Sequence, residues 1–204
     1  MKLLLCTAAL AAAFAVRPAT VVAPPGEHTW AIDPVHSSVL FKVKHANAAW
    51  FYGMFKSVSG TFTLDPEHAA DGKVEVKIDA ASIDTRDDKR DQHVRGPDFL
   101  DAKQYPDVTF TSKKVQRDGD NWTIDGDLTM RGKTKPVTLK AQKTGEGEFM
   151  GKRVGIEATT TIKRSEFGMT YGLAQNALGD EIVLTLSVEG TQPKEKGKEK
   201  EPVK

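Results

Sequence analysis

Between Asp84 and Asp98 the chain gathers five aspartates, three arginines and His93. Carboxylates and an imidazole held close together are the materials of general acid–base catalysis, in which a positioned side chain moves a proton to or from a reacting group. A simpler arrangement accounts for the same residues. Thr85 stands as a helix N-cap, with Asp88 three residues on in the place of a capping-box acid. Asp84, Asp87 and Asp88 lie where a helix dipole favours negative charge, while Arg90 and Arg95 lie towards its end. Asp91 and Arg95, four apart, can pair on the surface, and Gly96-Pro97 stops the helix. The cluster therefore reads as a short polar helix rather than an acid–base site. Its apolar sequel, Phe99, Leu100 and Tyr105, is what packs down over one mouth of the fold.

Other catalytic constellations are missing from the sequence. His36 and His45 are nine apart, so on one continuous strand they face opposite sides, and a metal site built from both would need a bulge. There is no HExxH, no GxSxG and no phosphate-binding glycine loop followed by a helix. Cys6 is the only cysteine and lies in the apolar leader, which leaves a mature chain without disulfides, thiolate chemistry or cysteine-bound metal. Asn121-Trp122-Thr123 fits a glycosylation sequon, which matters only in a eukaryotic secretory route. No catalytic residue, metal ligand or cofactor is assigned on this basis.

The elements that carry these residues are strands. Apolar side chains alternate with polar ones at Val39, Phe41, Val43; at Val58, Gly60, Phe62, Leu64; and at Val74, Val76, Ile78. The alternation continues at Val108 and Phe110, at Ile124 to Met130, at Val137, Leu139, Ala141, at Ile156 to Ile162, and at Ile182 to Val188. Strict alternation means one buried and one wet face, the signature of an antiparallel sheet. Asp71-Gly72, Asp118-Gly119, Gly145-Glu146-Gly147 and Gly179-Asp180 supply turn chemistry between the runs. About eight strands and no long amphipathic helix leave a sandwich or a closed barrel. Segments of eight residues span roughly 26 Å, and an eight-stranded barrel of that height is just wide enough for one slender ligand. The barrel is favoured, giving an all-β, extended eight-stranded antiparallel fold with a short helix across one end.

The ends of the chain differ from this core. Residues 1–23 read as a signal peptide and its cleavage region: Lys2 is basic, an apolar run follows, and Ala13-Phe14-Ala15 offers small residues for cleavage. A spacer at 24–28 leads into a domain at 29–192, and a Lys/Glu/Pro/Gly tail at 193–204 is too polar to bury anything. The expected location is periplasmic or secreted. The formal charge is +1, and it becomes −1 once the two charges of Lys2 and Arg17 leave with the leader. Nothing in that balance seeks nucleic acid.

Four ordered segments, DPVHSSVLFKVKH, DKRDQHVRGPDFLDAKQYPDVTFTS, GDLTMRGKTKPVTL and RSEFGMTYG, resemble the YceI-like family across roughly Thr29 to Gln192. The resemblance implies an exported, lipocalin-like barrel with a hydrophobic tunnel. Its implied ligand is a long-chain isoprenoid or fatty amphiphile, such as an isoprenoid quinone, a polyprenyl phosphate or a fatty amide. It also implies a binder rather than an enzyme. The chain departs from the family after His45, where ANAAWFYGMF replaces a glycine- and serine-containing loop and introduces Trp50, Phe51 and Tyr52.

The inward positions then nominate a tunnel lining. From the first half of the chain come Val39, Phe41, Val43, Phe62, Leu64, Val76, Ile78, Phe99 and Phe110. From the second half come Leu128, Met130, Leu139, Ile156, Ile162, Phe167, Met169, Leu184 and Leu186. A polar head would sit at a mouth, met by His36, His45, His93, Arg131 or Arg164. Each has a plainer role open to it, Arg131 as a hairpin residue and Arg164 as half of a strand-end ion pair. An enzyme acting on a lipid headgroup and a ligand-free structural domain with a solid core stand as alternatives. A homodimer and transient contact with a membrane or membrane protein are compatible with the sequence.

Overall fold

The alternating runs form eleven strands rich in valine, isoleucine, threonine and aromatic residues, which suit a pleated, half-buried surface. They are β1 (Thr29–Ile32), β2 (Ser38–His45), β3 (Ala49–Phe55), β4 (Val58–Thr63), β5 (Lys73–Asp79), β6 (Ile83–Asp84) and β7 (Asp107–Asp118), then β8 (Asn121–Met130), β9 (Lys133–Glu148), β10 (Lys152–Lys163) and β11 (Leu178–Thr191). This computed structural model describes residue 26 and residues 28–192. The expected leader at 1–23, most of the spacer at 24–28 and the tail at 193–204 lie outside the described residues.

All pairings are antiparallel, and β1 joins both β4 and β11, so the sheet closes on itself. The eleven strands merge into eight staves. β1 and β2 are two halves of one ribbon, pairing with β4 and β3, which are themselves two halves of the next. β6 continues β5 past a 3-10 turn at Ala80–Ser82 and pairs with β3. The result is the expected closed eight-stranded antiparallel barrel. Along β5 exposed and buried residues alternate without exception, and along β8 every second residue from Trp122 to Met130 is buried.

One α-helix occurs among the described residues, α1 (Asp88–Arg95). Its N-cap is Asp87, whose side chain accepts from the Arg90 amide at 2.9 Å, not the expected Thr85. Thr85 is instead buried, where its amide and hydroxyl both donate to the Asp91 carboxylate. The expected surface pairing of Asp91 with Arg95 is also revised. Asp91 is buried, and Arg95 stands 3.8 Å from it while donating to the carbonyls of Ala81 at 2.8 Å and Ile83 at 2.9 Å. Thus α1 is bolted to the Ala81–Thr85 segment through polar groups, because its own sequence has almost no apolar face. Gly96 ends the helix as expected.

Two expected turns lie inside strands. Gly145-Glu146-Gly147 belongs to β9, which runs on to Glu148 and pairs with β10, the reversal coming at Phe149–Gly151. Residues 142–148 are exposed on both faces, so no burial marked their period. Gly179-Asp180 sits in β11, where the register against β2 shifts between Leu178 and Ile182. A bulge absorbs these residues without ending the strand.

Candidate ligand-binding site

A cavity of about 200 Å³ lies between α1 and the barrel wall. Phe41 and Val43 of β2, Phe51 and Phe55 of β3, Met130, Ile162, and Leu178, Ile182 and Leu184 of β11 form its walls. Ile83, Thr85 and the helical Arg90, His93 and Val94 roof it, together with Phe99 and Leu100, while Arg164 and Met169 complete the rim. Further along the lumen a second space of about 30 Å³ is lined by Val39, Val76, Ile78, Phe110, Leu128, Leu139 and Leu186, among others. Phe55, Met130 and Leu184 line both, and so form the constriction between them. A bare backbone opposite Phe41 shapes the wall: a β-carbon on Gly53, its cross-strand neighbour, would come within 2.4 Å of the Phe41 ring.

Of the lining residues nominated from sequence, Phe41, Val43, Phe99, Met130, Ile162, Met169 and Leu184 face the larger cavity. Val39, Val76, Ile78, Phe110, Leu128, Leu139 and Leu186 face the smaller. Phe62, Leu64, Ile156 and Phe167 line neither and are buried in the packed core. Sequence reasoning missed Phe51, Phe55, Ile83, Thr85, Arg90, Val94, Leu100, Leu178 and Ile182. For Phe51 and Phe55 a signal existed, since Phe51, Gly53 and Phe55 keep period two through AWFYGMF. Arg90 and Val94 are four apart on α1 and so share a face.

The polar candidates separate. His93 and Arg164 reach the cavity. The Nε2 of His93 lies 2.8 Å from the Asp98 carboxylate, and its ring meets Phe99 and Tyr171 edge-on, with centroids 5.1 and 4.8 Å away. Arg164 is buried at 1% exposure and donates to three main-chain carbonyls, those of Gly179 at 2.7 Å, Met169 at 2.8 Å and Leu178 at 2.8 Å. It is no strand-end ion pair: Asp180 is engaged by the amide and hydroxyl of Ser165 at 2.9 and 2.8 Å. Burial pushes the Arg164 pKa down, and the field of Asp180 partly restores it. A guanidinium held by neutral dipoles leaves net positive potential at an otherwise apolar rim.

Arg131 is committed elsewhere. It sits in the turn between β8 and β9, and its guanidinium bridges the carbonyls of Gly168 and Pro97, tying two loops together. His45 ends β2, exposed, and does not line the cavity. His36 precedes β2 and lies against Asp33 at 3.1 Å and Glu189 at 3.8 Å, well along β11 from the cavity. Asp33, His36 and Glu189 offer three ligand atoms within 4.8 Å of one another, a spacing a metal ion would accept. Arg153 takes that place instead, its Nη1 being 3.0 Å from Asp33 and 2.7 Å from Glu189. A cation of the chain's own thus already bridges the two carboxylates and offsets part of their charge.

Arg90 is the unforeseen member. Its guanidinium lies 4.5 Å over the Phe51 ring and donates to the hydroxyl and carbonyl of Thr85 at 3.0 and 2.7 Å. The site is therefore an apolar chamber with Arg90, His93 and Arg164 at its edge, able to hold a hydrocarbon chain and to place an electron-rich head against donors.

Comparison with known proteins agrees in kind. The YceI-like domain model matches residues 30–190. Protein YceI of Escherichia coli O17:K52:H18 is 45% identical over 161 residues, covering 78% of this chain and 83% of that protein. The crystal structure of Burkholderia cenocepacia BcnA superposes with a TM-score of 0.72 at 29% identity, over 78% of this chain and 99% of that one. A polyisoprenoid binding domain from Saccharophagus degradans shares the fold with a TM-score of 0.62 at 16% identity, over 80% and 98% of the two chains.

Proposed function

This chain belongs to the YceI-like family, and on that premise we propose that it binds a long-chain isoprenoid or similar amphiphile in the cavity beneath α1. Isoprenoid quinones, polyprenyl phosphates and fatty amides share the required form, a flexible hydrocarbon with one polar end. The observation that carries the reading is the cavity itself: an apolar wall with its basic side chains confined to the roof and rim. A barrel of the same fold described as a polyisoprenoid binding domain supports it. Burying one methylene is worth about 0.8 kcal/mol against water, so a five-carbon unit gains roughly 3–4 kcal/mol. A bilayer solvates the same chain equally well. Transfer between membrane and barrel is then near balance, which suits a carrier or reservoir rather than a trap. Binding, not turnover, is the role, and the periplasm or cell exterior is the compartment, on the strength of the apolar leader at residues 1–23.

The larger cavity is smaller than the about 300–1,000 Å³ typical of ligand pockets. A long chain must open the Phe55–Met130–Leu184 constriction or leave part of itself in the mouth. The test is organic extraction of protein purified from its native host, followed by mass spectrometry. A stoichiometric long-chain isoprenoid or fatty amphiphile is expected. An empty extract, repeated after incubation with quinones and polyprenyl phosphates, would sink the reading and leave a structural domain.

A further inference from the structure

The hairpin that walls the cavity has a second face. Along β2 and β3 the outward residues pair across the ladder as Leu40 with Met54, Lys42 with Tyr52 and Lys44 with Trp50. Trp50 is 40% exposed, Tyr52 52% and Leu40 38%, which makes a contiguous apolar and aromatic surface on the outside of the barrel. Both lysine ammonium groups lie over the Trp50 ring, 4.9 Å away for Lys42 and 4.7 Å for Lys44. Amphipathic rings beside long-stemmed cations are the side chains that settle at a membrane–water boundary, the ring at headgroup depth and the ammonium reaching outward.

Charge supports the same partner. Neither Lys42 nor Lys44 makes an ion pair among the described residues. Of the acids on neighbouring strands, Asp84 pairs with Lys56 at 3.5 Å, and Glu181 stands in register with Lys163 across β10–β11. Two uncompensated cations beside exposed aromatics are complementary to a surface of negative headgroups. Position completes the argument. Phe51, between Trp50 and Tyr52, turns the other way and lines the cavity, so one strand serves both surfaces. No helix among the described residues is long and apolar enough to cross a membrane.

We propose that the outer face of the β2–β3 hairpin, centred on Trp50, Tyr52, Lys42 and Lys44, docks on an anionic lipid bilayer and brings the cavity mouth against it. Docking gives the proposed cargo a path between bilayer and barrel that does not cross water. The surface itself needs no cargo to bind.

The full chain is mixed with vesicles of phosphatidylcholine alone or of phosphatidylcholine with phosphatidylglycerol, and bound protein is measured by sedimentation over a salt series. Binding is expected only with the anionic lipid, weakening as salt rises. Replacing both lysines, K42Q with K44Q, should reduce it roughly 25-fold, at about fivefold per lysine. Trp30 and Trp122 are buried, so quenching of tryptophan fluorescence by brominated lipid reads Trp50, and it should vanish in Trp50→Phe. Equal binding to neutral vesicles, no binding, or binding indifferent to K42Q/K44Q would each overturn the proposal. A dimer that dissociates on Trp50→Ser would overturn it in favour of a second copy as occupant. Solvent extraction of K42Q/K44Q reads the cavity separately, so failure of docking and failure of cargo binding leave different results.

Discussion

The two ends of the barrel obey one sequence rule and reach opposite outcomes. At the far end Trp30 pairs directly with Phe62, Trp122 lies on the same lumen, and Gly190 is bare because a β-carbon there would come within 2.6 Å of Phe62 and 2.8 Å of Trp30. At the helix end Phe41, Phe55, Met130, Ile162 and Leu184 also point inward, yet a space of about 200 Å³ remains. Inward and apolar is common to both. What differs is the closure: large buried rings at one end, a helix held by polar bonds at the other. A barrel of this size is a filled core or a container according to which side chains it carries at each level.

The contrast has its largest consequence in stability. Trp122→Ala should cost about 3–5 kcal/mol, as large-to-small changes in filled cores do, whereas Met169→Ala at the cavity rim should cost about 2 kcal/mol or less. Urea unfolding of the two variants measures the difference, and equal losses would break the comparison. Next in size is the polar clamp on the roof. Asp91→Ala leaves the buried amide and hydroxyl of Thr85 without their acceptor and should cost about 1–3 kcal/mol, while also loosening α1 over the cavity. Faster amide exchange confined to residues 83–95 would mark that loosening; unchanged protection would show the clamp to be dispensable.

A smaller effect tests the boundary between the two regions. Met130 lines both spaces, so Met130→Ala should join them and Met130→Phe should seal them. In a series of fatty amides of increasing length, the joined variant should gain about 0.8 kcal/mol for each further methylene it accommodates, and the sealed variant should stop gaining sooner. Length profiles that superpose on the parent would place the limit elsewhere.

The smallest effect belongs to the charged cluster along β11. A hydrogen bond with His36, aided by the Val35 amide and Arg153, lowers the Asp33 pKa from its ordinary 3.8 to about 2. A depressed carboxylate contributes stability that is fully present above the unfolded value of 3.8 and is lost as pH falls through about 2. Asp33→Asn should therefore flatten the acid limb of stability between those values and leave ligand retention at neutral pH unchanged. Loss of ligand in that variant would tie the cluster to the cavity after all.

Much of the architecture was legible because alternation is a local property. The runs from Val39 to Val43, Val74 to Ile78 and Ile182 to Val188 needed no partner to announce a sheet with one buried face, and about eight of them left a sandwich or a closed barrel, of which the barrel formed. The glycines of β9 and β11 misled, since local turn chemistry was overridden by ladder pairing and by a bulge. The capping pattern at Thr85 misled for a related reason: a tertiary bond to Asp91 took the hydroxyl inward and left Asp87 to cap. An unfilled space has no residue of its own to signal it. It follows from summed volumes across eight staves and from where the roof sits, so Phe62 and Phe41 look alike in sequence and end in different surroundings. Arg164, nominated near the mouth, lines the cavity, but its three carbonyl partners depend on how the chain folds back at Leu178 and Gly179.

The closure of the ring also sets an order of events. β1 meets β11 only through Ala31 with Thr191 and Ile32 with Gly190, and β2 takes β11 from Ser187 back towards Leu178. First and last strands are thus each other's neighbours, and seven staves cannot become a barrel until residues 178–191 have been made. Non-local pairing of this kind is slow to form. Until it does, β10 and the β1–β2 ribbon present bare edges able to pair with those of another unfinished copy. The strand that completes the container is also the one that ends the chain's exposure to aggregation.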